Sequence, residues 1–216
     1  MLNFTPSEII SRLLILLIAL PVHEFAHAWT ADRFGDDTPR LNGRLTLNPL
    51  AHLDLLGSLM LLVGVFGWAK PVPVNPYALG RRSPSAGMWV ALAGPLSNFM
   101  LAILAAVPLR LGVVPFTYSP NSLIPSGYQI LTDFVFINLA LMLFNLIPLA
   151  PLDGEKVAQY YLPSRWARGL DAIRPYSPLL LMAIIFILPW FGINLLGWII
   201  GPPLQALNNL LIGVSL

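Results

Sequence analysis

The sequence predicts an all-α polytopic membrane protein, with about five transmembrane helices, a re-entrant segment and a short extended region. Three observations lead there. Of the 216 residues, 56% are hydrophobic and 10% charged, against about 25% charged in ordinary soluble domains. The mean hydropathy is +0.74. Apolar runs close to the length a bilayer requires alternate with short polar stretches rich in Gly and Pro. A chain of this size could not cover itself with so little polar surface, so its solvent is lipid. A net charge of +2 is too small to suggest nucleic acid as a partner. With no cysteine, disulfides and cysteine-ligated metals are excluded.

The first helix has a marked start at Thr5-Pro6-Ser7-Glu8: a cap residue, Pro at the first helical position and Glu three after the cap. Its apolar run reaches about Thr30, with Pro21 as an expected kink and Gly35 as the stop. The run lacks a basic start and a small-residue end of the cleavable kind, and is expected to be retained. From Pro6 to His23 the helix rises about 26 Å, so His23 lies toward the far face of a core about 30 Å thick. Residues 32–52 are polar and turn-rich. Leu53–Trp68 is short and broken by Gly57, Gly64 and Gly67, which suits a segment that dips in and returns. Prolines at alternate positions make Lys70–Pro76 extended, an edge strand at most, able to pair with an extended peptide or to serve as a rigid turn. Further helices are expected over about 87–109 and 127–147. Residues 152–177 read as polar and basic, followed by apolar segments near 178–190 and 193–213. One membrane-embedded domain over 1–216 results, with a catalytic core at about 6–156 and C-terminal helices at about 176–214.

The chemistry is carried first by His23-Glu24-Phe25-Ala26-His27. Positions i and i+4 share a helix face with Cβ atoms about 5–6 Å apart, so both imidazoles can converge on one zinc. Glu24, one step round, can reach a metal-bound water without being a ligand. A merely coincidental Glu inside an apolar helix would cost several kcal/mol unless something held it. A hydrolytic zinc keeps three protein ligands and one open position. Candidates for the third are His52, Asp54, Asp133, Asp153 and Glu155. Asp153 follows the two prolines of Pro148-Leu149-Ala150-Pro151 and precedes Gly154, which permits a tight approach; as a plain turn former it would be equally at home. His52 is its main rival, and could also be an interfacial side chain.

Charge placement bears on the choice. If Leu53–Trp68 returns to its own side, two crossings bring Asp153 to the histidines' face. That face then holds ten of the twelve Lys and Arg, with only Arg12 and Arg110 opposite. If the segment spans, the split is eight against four and Asp153 lies across the membrane from the histidines. The ten-to-two arrangement follows the positive-inside bias and makes the histidine face cytoplasmic.

These residues resemble the site-2 protease family of intramembrane zinc metalloproteases. The resemblance rests on His23-Glu24-x-x-His27, on Ala93-Gly94-Pro95-Leu96-Ser97-Asn98 and on Asn145 through Gly154, and covers about residues 10–156. It implies zinc, one ion per chain, on His23, His27 and Asp153, with Glu24 catalytic and Asn145 hydrogen-bonding to substrate or intermediate. It implies membrane-anchored protein substrates and residence in the lipid bilayer of the cell membrane. Family members often carry Asp-Gly-Gly, whereas Glu155 follows Gly154 here. The chain leaves no room for the PDZ or CBS domains that some members add. Gly94 and Ser97 are small enough for close helix contact, across which Asn98 could hydrogen-bond. A different class, a metal-binding membrane protein without hydrolytic activity such as a metal transporter, is the alternative. The single compact cluster and the lack of a repeat weigh against it. Nothing in the sequence sets an oligomeric state.

Overall fold

The structure is a computed structural model and describes residues 5–54, 57, 69–117 and 124–213. Helix α1 spans Pro6–Arg33 and begins as the sequence requires: the Thr5 side chain accepts from Glu8 N, and the Glu8 carboxylate accepts from Thr5 N at 2.8 Å. The helix continues through Pro21 and ends before Gly35, whose φ of +85° only glycine adopts freely. Ser7, Ser11, Ile15, Ala19, His23, His27 and Ala31 are all buried and four residues apart, so they form one inward face. Ile10, Leu14, Leu17 and Ile18 are exposed. Polar groups inside and large apolar groups outside are the reverse of a water-soluble helix, and lipid is the solvent that permits it.

Two short helices follow, α2 at Thr38–Leu41 and α3 at Pro49–His52. Leu53 and Ala69 form an antiparallel bridge, and Lys70 N donates to His52 O at 2.7 Å. The re-entrant reading of Leu53–Trp68 falls almost wholly outside the described residues; Leu53, at its start, and Ala69, just after it, lie side by side. Residues 70–75 carry no helix, and among the described residues the Leu53–Ala69 bridge is the whole of the β pairing. The buried Asp36 ties this stretch to the end of α1 by accepting from Thr38 N and from Asn75 N. Helix α4 is Pro76–Arg82, capped by the Asn75 side chain.

Helix α5, Ala86–Arg110, packs against both α1 and α6, Gly127–Asn145. Ala102, Ala105 and Ala106 of α5 meet Val135, Leu139 and Met142 of α6 in the main core, and small residues there let the backbones approach closely. After α6 the chain turns through residues 146–152 into α7, Asp153–Tyr161, which also lies on α5. The stretch expected to be simply polar and basic is thus largely helical: α7 is followed by α8, Ser164–Ile173, whose polar and apolar residues alternate at helical spacing. A 3₁₀ turn at Arg174–Tyr176 leads into α9, Ser177–Met182, then a π-helical stretch and a second 3₁₀ turn ending at Gly192. Helix α10, Leu195–Ile212, closes the chain against α6, and its last carbonyls accept from the Arg110 guanidinium. Among the described residues five helices are long and apolar enough to cross a membrane: Ser7–Arg33, Ala86–Arg110, Gly127–Asn145, Ser164–Phe191 and Leu195–Ile212.

Candidate metal centre

Two elements place one side-chain cluster. Helix α1 supplies His23 and His27 from its inward face, and the first residue of α7 supplies Asp153. The two Nε2 atoms are 3.0 Å apart, and each lies 3.2 Å from Asp153 Oδ2. Among the described residues these three form the one group of His and acidic side chains arranged to hold a metal ion.

The other faces of both rings are occupied. His27 Nδ1 is 2.7 Å from Val90 O, a carbonyl that can only accept, so the ring proton sits on Nδ1 and the Nε2 lone pair faces the cluster. His23 Nδ1 donates to Asn98 Oδ1 at 2.6 Å. Two imidazole Nε2 atoms and a carboxylate oxygen therefore converge on one point, an arrangement that a metal cation completes. The spacing fits zinc: tetrahedral ligands at about 2.0–2.1 Å stand about 3.3 Å apart.

Gly94 of α5 leaves the space in which such an ion would sit. A Cβ built there would meet Cε1 and Nε2 of His23 at 2.6 Å, and Nε2 of His27 closer still. The sequence identified Gly94 only as a small residue for helix contact; that its missing side chain opens onto the imidazoles needs the fold. Gly154 has the matching role on the other side. A Cβ there would strike the Leu146 and Ile147 carbonyls, so α7 starts hard against its own preceding turn and thereby presents Asp153.

Glu24 is buried beside the ligands on α1, and among the described residues no hydrogen bond or ion pair restrains its carboxylate. Among the described residues Asn145 makes no hydrogen bond to the donors; its Nδ2 donates to Leu141 O at 2.9 Å, one turn back in α6. His52, the rival third ligand, is set elsewhere. It is fully buried, with Nε2 at 2.7 Å from Thr46 O, because α3 packs it into the loop region after α1. Asp133 pairs with Ser11 in the other half of the bundle, and Glu155 pairs with Arg174. Asn98, which the sequence marks as a helix-contact residue, meets Asn138, which carries no signal in the sequence. Both are fully buried and hydrogen-bonded to each other at 2.9 Å.

The comparisons with known proteins agree with this geometry. The chain is 36% identical over 190 residues to "Putative zinc metalloprotease YwhC" of Bacillus subtilis, covering 86% of this chain and 84% of that one. It is 31% identical over 188 residues to Rip2 of Mycobacterium tuberculosis, named in the same way, covering 86% and 68%. A shorter match, 36% over 113 residues, joins it to MJ0611 of Methanocaldococcus jannaschii, again so named. No family model and no solved structure matches the chain. At these identities and coverages the chain belongs to the zinc metalloprotease family of these relatives, in keeping with the resemblance to site-2 proteases.

Proposed function

We infer that the protein is an intramembrane zinc protease that hydrolyses peptide bonds of membrane-anchored protein substrates, with His23, His27 and Asp153 as zinc ligands and Glu24 as the base. The observation that carries this is the convergence of three lone-pair donors, from residues 130 positions apart in sequence, onto the space that Gly94 leaves open. Bound there, zinc supplies Lewis-acid polarisation of the scissile carbonyl and acidification of water. Glu24 takes the proton of the attacking water and later hands it to the leaving amine. Holding an ionisable Glu24 in an apolar helix is costly, and such groups in membrane segments mark function. Asn145 gives one Nδ2 hydrogen to Leu141 O and keeps the second with which to meet the substrate. Peptide bonds within an intact helix are shielded, so a substrate must unwind locally to reach the site, and water must enter through a polar opening.

The orientation follows from the same arrangement. With α5 and α6 as the two crossings between His27 and Asp153, the basic residues gather on the ligand face, which supports a cytoplasmic site in the cell membrane. The pairing of Leu53 with Ala69 supports that count of crossings. The catalytic core is residues 6–156, with 176–214 as flanking helices of the same domain.

Glu24→Gln tests the reading. It should retain zinc, lower cleavage by about 10²–10⁴-fold and accumulate uncleaved substrate, which mass spectrometry of the trapped complex would name. Wild-type cleavage by that variant removes Glu24 from the mechanism.

A further inference from the structure

A one-way chain of hydrogen bonds runs from α6 through α5 to α1. Asn138 Nδ2 donates to Phe134 O at 2.9 Å, Asn98 Nδ2 donates to Asn138 Oδ1 at 2.9 Å, and Asn98 Oδ1 faces His23 Nδ1 at 2.6 Å. Each step fixes the next. Phe134 O is a backbone carbonyl and can only accept, so it takes the amino end of Asn138. The Asn138 carbonyl must then face Asn98, where it too can only accept, so Asn98 offers its amino end. What Asn98 has left for His23 is its carbonyl oxygen, and His23 must meet it with a proton on Nδ1. The lone pair of His23 is thereby left on Nε2, beside His27 Nε2 and Asp153.

We propose that Asn98 and Asn138 are positioning residues that set the tautomer of His23, so that a backbone carbonyl of α6 decides which ring nitrogen of α1 is free to take a metal. The proposal rests on the reading of His23 as a zinc ligand. A turned-over Asn98 would present an amino group to His23, drive the ring proton onto Nε2 and place it where the ion belongs. Asn98 and Asn138 are both without solvent exposure, so water cannot rescue a reversed amide. His27 needs no such relay, because Val90 O faces its Nδ1 directly. Partners of this kind, one shell beyond a ligand, commonly change metal affinity by about 10–100-fold when removed.

The test uses the full chain in nanodiscs, with ¹⁵N-histidine spectra of the metal-free protein and zinc affinity from competition with a chelator. In the wild type, His23 should carry its proton on Nδ1. Asn138→Leu, which touches no ligand, should yield mixed tautomers of His23 and about 10–100-fold weaker zinc binding. In the Asn138→Leu background, where the Asn138 carbonyl no longer stands opposite, Asn98→Asp offers His23 an acceptor whichever way it turns, and should bring both the tautomer and zinc affinity back to within a few-fold of the wild type. A packing role for Asn138 would leave this double variant as weak as Asn138→Leu. Wild-type zinc affinity and a single tautomer in Asn138→Leu, or a double variant that binds zinc no better than Asn138→Leu, overturn the relay. The ligand reading is tested apart from it: His23→Ala with undiminished zinc affinity would show that His23 binds no zinc, whatever its tautomer.

Discussion

Gly94→Ala places one methyl group where the structure leaves room for an ion. Its Cβ would sit 2.6 Å from two atoms of the His23 ring, and ordinary contact begins near 3.4 Å, so the ring must move by about 0.8 Å. Neither ring can swing aside freely. His23 is held through Asn98 and His27 through Val90 O, and each of those hydrogen bonds contributes about 0.5–1.5 kcal/mol net. A displacement near 1 Å at reacting groups costs about 10²-fold in rate, and here it also separates the donors. The fold should tolerate the change, since Ala is about 1 kcal/mol better than Gly inside a helix. The expected result is therefore divided: thermal stability of the metal-free protein unchanged or lowered by at most about 2 kcal/mol, zinc affinity and cleavage of a reporter substrate both down by at least about 10²-fold. Zinc content by mass spectrometry and cleavage by gel shift measure the two sides. A Gly94→Ala protein that binds zinc and cleaves like the wild type would refute the placement of the ion between α1 and α7 on the side that Gly94 of α5 faces.

Asp153→Ala should lose zinc on dialysis, while His52→Gln should keep a full complement; the reverse pattern, read by metal analysis, would reinstate His52 as the third ligand. Arg174→Ala should lower thermal stability by about 1–3 kcal/mol, because the buried Glu155 loses the guanidinium 2.6 Å away, the figure being kept modest by the half-exposed arginine and by Gln159 as a remaining donor. Retained stability in Arg174→Ala would mean that the link between α7 and the C-terminal helices contributes little. Zinc-loaded proteoliposomes should show cleavage and no zinc flux; flux without cleavage would favour the transporter reading.

Fold class and ligand candidates were legible in the sequence because lipid constrains them strongly. An apolar run must be a helix, Thr5 through Glu8 start it, and His23 and His27 share a face by the geometry of any α-helix. Asp153 was legible as a candidate because two prolines and a glycine bracket it, but its meeting with the histidines depends on crossings that only the fold supplies. Gly94 was misjudged for the same reason: a missing side chain acquires meaning from what stands opposite, and those atoms are some 70 residues away in sequence. Asn98 was legible only as a helix contact and Asn138 not at all, since nothing in their spacing reveals which amide end faces which partner. Residues 152–177 read as polar because Arg165, Arg168, Asp171 and Arg174 dominate their composition, although Trp166, Leu170 and Ile173 recur at helical intervals and could have revealed α8.

The central claim is that His23, His27 and Asp153 hold one zinc ion between α1 and α7. Diffraction from crystals of the active protein, recorded on both sides of the zinc absorption edge, locates that ion directly. The expected anomalous peak lies among the two Nε2 atoms and the Asp153 carboxylate, above Gly94. A peak beside His52, or a fully active crystal with no zinc signal, would contradict it.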